Sequence, residues 1–350
     1  MEIILLDDNF NVSTIIDDFS SLLWNRKYYA VGNFNLEISS SYYEVIKLSK
    51  YIYRSDCEET GIIENIKYST KNDDVKLELS GRFLESILGD RVIDNVNNFY
   101  DKTENICRTL VNNLAIISRK IDKLKLGNNN QLGSTIRLQV TGENLLEELY
   151  LLCKNDELSI KVKYDYLKNY IIFEIWQGLN RTDLQTLNSW ATFSENFENI
   201  DEDNYYMDST KYKNFAYVAG QDKGTNRVIV CVDKILNGEK RKEIYIDARD
   251  LQQEDNMTNK QYEEILFQRG LEKLEENKKV ETIDFKINPH SNLKYKTDFD
   301  LGDKVTYKNE KLGYYVNSRI VEISEVYENG DEEISITFGD DYNIKLLKGE

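Results

Sequence analysis

Alternation of apolar and polar positions at a period of two predicts β-strands in the first eighty residues. Residues 34–38 and 75–79 alternate in this way, and Gly32-Asn33 and Gly81 interrupt the pattern. Successive side chains on a strand point to opposite faces, so this period is typical of strands with one buried face. The pattern predicts a first β-barrel module over residues 1–80.

The hydrophobic period lengthens after residue 81. Apolar residues recur at close to 3.6 spacing over residues 103–124, which predicts an amphipathic helix. Asn144 precedes a second apolar run and suits a helix N-cap, so a helix is predicted near residues 144–153. A hairpin is predicted over residues 158–176. Together these elements predict an α/β subdomain over residues 81–188.

Strand patterns return in the second half of the chain. Residues 189–255 are predicted to form a second β module. Thr258-Asn-Lys-Gln261 has the pattern of a capping box and predicts a helix within residues 256–280. C-terminal strands over residues 281–350 are predicted to complete a barrel. The predicted class is therefore a β-rich α+β fold, with two barrel-like modules and an inserted α/β subdomain.

The segment at residues 298–303, Asp-Phe-Asp-Leu-Gly-Asp, is the most informative turn of the chain. It leads into a short strand and then into two longer strands joined at Asn329-Gly330, a dipeptide typical of hairpins. We expect Gly302 to supply backbone freedom. We expect Asp298 and Asp303 to hold the turn by accepting backbone amides.

Composition excludes several classes of function. The formal net charge of −17 argues against binding to nucleic acid and to anionic membranes, since both need clustered cations. No apolar run approaches the ~20 residues of a membrane span, and the N-terminus lacks the pattern of a signal peptide. We therefore expect no membrane anchor and synthesis in a bacterial cytoplasm. The product is expected either to stay there or to leave by a route other than secretion, such as assembly into a particle released by lysis.

Candidate chemistry is sparse. The carboxylate pairs Asp7/Asp8, Asp17/Asp18 and Asp340/Asp341 favour turns and surface, because neighbours on a strand face opposite sides. Acidic clusters at residues 201–204 and at Asp300 with Asp303 lack the spacing of a calcium loop. The lone His290, beside Pro289, cannot supply a metal cluster. The four cysteines are predicted to be reduced and mostly buried. No catalytic residue, cofactor or metal site is predicted.

Two surface features leave alternatives open. Tyrosine pairs such as Tyr314-Tyr315 suit sugar-stacking platforms, although half-buried strands and interfaces use tyrosine equally well. Arg241, Glu243, Asp247 and Arg249 occupy odd positions and would share one face of an uninterrupted strand. That face suits either a charged ladder between strands or subunits, or an exposed sheet surface.

Five stretches, in order and spacing over nearly the whole chain, carry a family resemblance. They are residues 22–28 with 31–34, residues 81–88 with Arg91, residues 178–182, residues 241–250, and residues 268–274 running on to 298–303 and Val305. The family-like residues are Trp24, Gly32, Gly81, Arg91, Gly178, Arg181, Thr182, Arg241, Glu243, Asp247, Arg249, Gly270, Asp298, Gly302, Asp303 and Gly339. The chain resembles the phage tail-hub family: the baseplate hub of contractile tails and the N-terminal module of the siphophage tail-associated protein. Within it, the chain is most similar to the minor tail protein type of Gram-positive prophages.

The resemblance implies a structural virion protein. It implies a trimer whose two barrels per chain form a pseudo-six-fold ring, which adapts the six-fold tail tube to a three-fold spike or fibre. The implied partners are the tail tube or distal tail protein, the tape-measure protein, and a spike, fibre or cell-wall hydrolase component. Longer relatives append a hydrolase domain after this module, so such activity is expected in another protein. A carbohydrate-binding tail module remains the alternative, and a cell-wall hydrolase a weaker one.

Overall fold

The computed structural model describes residues 1–71, 74–255, 257–288, 290–309, 311, 313–328 and 330–339. It confirms the predicted β-rich α+β class, with several sheets and four α-helices among the described residues. None of these helices is long and apolar enough to cross a membrane.

The strands fall into three groups along the chain. The first group is β1 Ile3–Leu6, β2 Val12–Ile16, β3 Phe19–Lys27, β4 Asn33–Ser39, β5 Tyr51–Arg54, β6 Thr60–Ile62, β7 Asn65–Lys71 and β8 Asp74–Arg82. The second group is β9 Asn97–Lys102, β10 Leu124–Leu126, β11 Thr135–Val140, β12 Ser159–Asp165 and β13 Tyr170–Trp176. The third group is β14 Thr192–Ser194, β15 Ile200–Asp208, β16 Phe215–Ala219, β17 Ile229–Asp233, β18 Glu243–Asp247, β19 Val280–Ile287, β20 Lys304–Asn309, β21 Tyr314–Glu328 and β22 Asp331–Gly339. The helices are α1 Tyr43–Ile46, α2 Thr103–Val111, α3 Leu145–Asn155 and α4 Asn259–Glu276.

The main sheet is built from two halves with the same topology. Its strand order is β15-β19-β22-β21-β3-β4-β8-β7, with every neighbouring pair antiparallel. Within each half the strands appear in the chain order first, second, fourth and third: β3-β4-β8-β7 in one half, and β15-β19-β22-β21 in the other. The third strand of the second half, β21, pairs with the first strand of the first half, β3. The chain therefore contains a structural repeat whose two units are joined edge to edge.

A second layer covers each half and encloses a hydrophobic core. The sheet β2-β1-β5-β6 covers the first half, and apolar residues from both layers meet in one cluster that includes Leu5, Trp24, Phe34, Ile52 and Leu79. Strands β14 and β20 cover the second half, where the cluster includes Phe193, Phe285, Val305, Ile323 and Phe338. These residues follow the period of two, because alternate strand positions face the interior.

The inserted α/β region has a core of its own between α2, α3 and the sheet β10-β13-β12. Asn144 caps α3 by accepting the amides of residues 146 and 147, and the predicted hairpin is β12 with β13. The predicted helix over residues 103–124 is wrong only over residues 119–124. After α2 the chain widens into a π-helix, Asn112–Ser118, and Leu124 pairs instead with Ile171 in a parallel strand. The apolar residues at 121 and 124 kept the helical spacing although the chain had left the helix.

Strands β16, β17 and β18 form a separate three-stranded sheet that α4 covers. Thr258 and Gln261 form the predicted capping box at the start of α4. The segment predicted as one module, residues 189–255, is therefore shared between two sheets, since β14 and β15 pair with strands of the second half. A period of two identifies a strand but not its partner. The other predicted domain boundaries remain predictions.

Candidate functional site

The Asp303 carboxylate anchors the turn that the sequence singled out. It accepts the amide of Leu179 at 2.7 Å, the amide of Asp300 at 3.1 Å and the Nε of Arg181 at 2.9 Å. Burial raises the pKa of the Asp303 carboxyl, and the hydrogen bonds from Leu179 and Arg181 act in the opposite direction. The turn before β20 is thereby tied to the loop that follows β13.

Two glycines let these segments touch through their backbones. A Cβ on Gly178 would lie 2.1 Å from the carbonyl carbon of Gly302. Gly302 has a φ of +81°, which favours glycine, and its carbonyl accepts the guanidinium of Arg319. Arg319 also binds the carboxylate of Glu157 at 3.0 Å, on the inserted region. Family-like residues far apart in the sequence therefore meet at one junction.

The loop held by this junction, residues 182–190, is stabilised from inside by Gln185. The Gln185 amide nitrogen donates to the carbonyls of Thr182 and Asn188, each at 3.0 Å, and its oxygen accepts the amides of Leu187 and Asn188, each at 2.8 Å. The indole of Trp190 donates to the Gln185 carbonyl at 2.7 Å. The loop is therefore ordered by its own hydrogen bonds, as in compact Ω-type loops.

This same loop presents large apolar side chains to solvent. Leu184 is 78% exposed, Leu187 is 93% exposed and Trp190 is 57% exposed. Residues 184–190 contain no ionisable side chain. Asp183 precedes them, and Lys308 binds its carboxylate at 3.2 Å. We call residues 182–190 the apolar loop.

A buried network of charges lies where the two halves of the main sheet meet, and sequence reasoning missed it. Arg26 donates to Glu59 at 2.7 Å, to Asp300 at 2.6 Å and to the hydroxyl of Tyr295 at 2.8 Å. The Tyr295 hydroxyl in turn donates to Glu325 at 2.9 Å. Arg26 and Tyr295 each have more than one partner in this network, and pairing of this kind offsets the cost of burying charge.

Arg54 occupies the other end of this network. Its fully buried side chain binds Glu325 at 2.9 Å and Asp56 at 2.7 Å. The hydroxyl of Tyr327 also donates to Glu325 at 2.9 Å. Hydrogen bonds and contacts with Arg54 and Lys296 hold the pKa of Asp56 at about 2, against the effect of burial. The network links β5 of the first barrel to β21 of the second half.

The sequence did carry a signal for this network. Leu22, Trp24 and Tyr28 are the inward positions of the β3 segment, and Arg26 interrupts them at the same period of two. Arg54 follows the buried Ile52 at the same spacing on β5. A cation at an inward position of an apolar strand indicates a buried ionic partner.

The two outer edges of the main sheet, β7 and β15, also expose apolar side chains. On β7, Ile66 is 45% exposed and Tyr68 is 67% exposed. On β15, Tyr205 is 51% exposed and Met207 is 46% exposed. In each strand the two residues are two positions apart and lie on one face. Exposed edge strands of this kind are ready to pair with another strand.

The predicted charged face on β18 is an exposed sheet surface. Strand β18 spans Glu243–Asp247, so Arg241 and Arg249 lie beyond its ends. Arg241 binds Glu243 at 2.7 Å, and Arg249 binds Asp247 at 2.6 Å. Arg227 on the neighbouring segment also binds Asp247. These charged side chains therefore form ion pairs with one another within the chain.

Other family-like residues lie apart from the junction and serve packing. Trp24 is buried against Phe83, with ring centroids 4.7 Å apart. A Cβ on Gly32 would lie 2.7 Å from the Phe83 ring, and one on Gly81 would lie 1.8 Å from the carbonyl oxygen of Ile62. These glycines allow the strands of the first barrel to approach closely.

The remaining predicted residues are spread over the fold. Arg91 donates to a carbonyl just after the π-helix at 2.8 Å. Gly270 brings α4 close to its sheet, and Gly339 has a φ of +92° at the end of β22. Asp298 accepts the amide of Lys294 at 2.8 Å, the kind of bond predicted for it.

Two of the carboxylates considered for catalysis serve local structure. Asp7 accepts the amide of Asn9, and Asp18 accepts the hydroxyl of Tyr42. Asp340 and Asp341 lie outside the described residues, as do Pro289 and Asn329. Among the described residues, no group of three or more His, Cys, Asp or Glu side chains is placed to hold a metal ion.

Tyrosines and cysteines depart in part from expectation. Tyr28 and Tyr29 are buried, and the Tyr315 hydroxyl is bound to Asp183, while the side chain of Tyr314 lies outside the described residues. All four cysteines are unbridged. Their burial differs: Cys107 and Cys153 are buried, Cys57 is half-buried and Cys231 is exposed.

Comparison with known families decides the affiliation of the chain. A family model described as Siphovirus ReqiPepy6 Gp37-like protein matches residues 2–340. The chain belongs to this family. No curated protein sequence matches it.

Solved structures similar to this member of the Gp37-like family include several phage tail proteins. Prophage tail protein gp18 from Listeria monocytogenes EGD-e is 13% identical to this chain. The match covers 100% of each chain and has a TM-score of 0.57. The 43 kDa tail protein of prophage MuSo2 from Shewanella oneidensis is 14% identical, covers 97% of this chain and 98% of its own, and has a TM-score of 0.57. A tail protein from Neisseria meningitidis MC58 is 13% identical, with 95% and 94% covered and a TM-score of 0.55. At these identities the likeness shows a shared fold, and the predicted resemblance to phage tail proteins is confirmed at that level.

Proposed function

We propose that the chain is a structural, non-enzymatic component of a phage tail tip or baseplate, where three copies form a hub ring. Membership of a siphovirus family and a fold shared with tail proteins support the location. One observation carries the assembly: the main sheet repeats a four-stranded unit twice and, among the described residues, leaves the two matching edges without a partner strand.

The contact between the halves within one chain is the template for the contact between chains. Inside the chain the third strand of one unit, β21, pairs antiparallel with the first strand of the other, β3. The strands equivalent to β21 and β3 at the outer edges are β7, the third strand of the first unit, and β15, the first strand of the second unit. If β7 of one copy pairs with β15 of the next, the same joint recurs at each contact. Such a heterologous contact generates a ring when the rotation closes.

Charge on the two open edges is complementary. Strand β7 carries Lys67 and Lys71 and no acidic residue, whereas β15 carries four acidic residues and no basic one. Asp201 and Glu202 on β15 are exposed, and the Lys67 side chain is 72% exposed. The internal joint also pairs opposite charges, with the signs exchanged between the strands, since Lys27 on the first strand, β3, lies 3.3 Å from Glu322 on the third strand, β21. Opposite charges across neighbouring strands favour this pairing over pairing of like edges.

The apolar residues of the two edges supply the burial that the joint needs. Ile66 and Tyr68 on one edge and Tyr205 and Met207 on the other would leave water when the strands pair. Each copy contributes eight strands to the main sheet, so three copies give six equivalent four-stranded units. The six-fold side of such a ring suits a tail tube or distal tail protein with the tape-measure protein, and its three-fold features suit a spike, fibre or cell-wall hydrolase component.

Electron microscopy of the parent particle tests this function. Antibody raised against the chain should label the tail tip of wild-type particles. Tails made with Ile66→Asp/Tyr68→Asp as the sole copy should be absent or unlabelled, because charge would be buried in the joint. The matched control is Tyr166→Asp/Leu167→Asp in the β12–β13 turn, where Tyr166 is 64% exposed and Leu167 is 79% exposed. This variant should assemble normally. Purified wild-type tails that lack the chain would refute the proposal.

A further inference from the structure

The apolar loop has no role in the ring joint described above, and yet it is the most apolar exposed segment near the family-like junction. It lies between β13 and β14 in the chain and belongs to neither of the edge strands β7 and β15. Asp303, Arg181 and Gly178 fix its base. The main-chain carbonyl of Arg181 accepts the amide of Ala191 at 2.8 Å, which closes the loop at its neck.

The chemistry of the loop favours an apolar protein groove as its counterpart. The amides of Leu187 and Asn188 and the Trp190 indole nitrogen all donate to Gln185, so that the leucine side chains and the indole ring remain to contact a partner. Anionic membranes and nucleic acids need cations, which residues 184–190 lack in a chain of net charge −17. Tryptophan in a rigid setting is a common anchor of protein interfaces.

The size of the loop decides how many copies a partner must bind. Leu184, Leu187 and Trp190 together present on the order of 400 Å² of apolar surface. A stable complex buries roughly 800 Å² on each partner, so one loop is too small to hold a complex alone. The trimer proposed above presents three loops, or roughly 1,200 Å², which is sufficient when one partner engages all of them.

We propose that the apolar loop is the docking element for a second tail protein, which binds the hub trimer through three apolar grooves at once. This inference rests on the proposed trimer. The loop is ordered by Gln185 before it binds, so little conformational entropy is lost on docking. Since each chain supplies the loop once, the partner meets the ring with three-fold stoichiometry and belongs to the spike, fibre or hydrolase side rather than to the six-fold tube.

The test compares tails assembled with hub variants as the sole copy. Leu187→Ser/Trp190→Ser removes two apolar side chains, and Tyr166→Ser/Leu167→Ser is the matched control at another exposed turn. Quantitative mass spectrometry of purified tails measures each component relative to the hub. With the loop variant we expect one component, present at one copy per hub chain in the wild type, to fall at least tenfold. The control should keep it, and light scattering should show both purified variants as trimers.

Three outcomes would overturn the inference. Full retention of every component would show that the loop docks nothing in the tail. Loss of the trimer in the loop variant alone would assign the loop to contacts between hub copies. Binding of the purified wild type to phosphatidylcholine vesicles that the loop variant loses would assign it to a membrane. Absence of the wild-type chain from tails would instead refute the proposed function itself. That result differs from the three outcomes above, in which the chain is present in tails or forms a trimer as the wild type.

Discussion

Asp303 is a buried carboxylate whose three donors come from two segments more than a hundred residues apart in sequence. Asp303→Ala would leave the guanidinium of Arg181 and the amide of Leu179 without this acceptor. We expect a loss of about 3 kcal/mol in the free energy of unfolding, measured by urea denaturation. Asp303→Asn, which keeps one acceptor oxygen, should lose less. Asp222→Ala, at an exposed position, should change stability by under about 0.5 kcal/mol, and an equal effect of both alanine variants would contradict this role.

Glu85 is a buried carboxyl of the inserted region, and burial raises its pKa to about 7 from an ordinary value of 4.5. The amide of Val162 donates to this carboxyl at 3.4 Å. The folded state keeps the proton that the unfolded state releases, so wild-type stability should fall as pH rises from 4.5 to 7 and then level off.

Glu85→Gln isolates this contribution, because the amide does not ionise. At pH 8 the variant should be more stable than wild type by about 3 kcal/mol, and the difference should vanish near pH 4.5. Thermal unfolding followed over this pH range measures it. Glu263→Gln, at an exposed position, is the control and should track the wild type. A difference between Glu85→Gln and wild type that does not vary with pH would disprove the assignment.

Elements meet closely at the junction because Gly178 has no side chain. Gly178→Ala would place a Cβ 2.1 Å from the Gly302 backbone, and neither segment is free to move while Asp303 ties them together. We expect a loss of about 3 kcal/mol and a red shift of tryptophan fluorescence as the apolar loop loosens. Gly89→Ala meets its nearest atom at 3.4 Å, an ordinary contact, and serves as the control. Equal stability of the two variants would rule out the close approach.

Local patterns predicted elements well where the local signal and the tertiary structure agree. The capping residues Asn144 and Thr258 identified the starts of α3 and α4, and the period of two identified the paired strands β12 and β13. The helix predicted to residue 124 ends at residue 118, because Leu124 pairs with β13, a contact that no local spacing encodes. Within the site, the turn at Asp303 was predicted to accept amides, but its donor on Leu179 is distant in sequence and was not foreseen.

At the scale of the whole molecule, the sequence did not reveal the repeat. Its two units share strand order and sense but no evident sequence period, and the insertion that holds β16–β18 and α4 separates β15 from β19. The buried network around Arg26 and Arg54 joins the units, and its members come from both ends of the chain. Long-range pairing of this kind follows from the shape of the fold rather than from local propensity.

The mass of the purified wild-type chain in solution tests the central claim most directly. Size-exclusion chromatography with light scattering should give three times the 41.1 kDa of one chain, and Ile66→Asp/Tyr68→Asp should give one chain mass with an unchanged circular dichroism spectrum. A wild-type monomer at all concentrations, or a trimer that persists in this variant, would contradict a ring closed through β7 and β15.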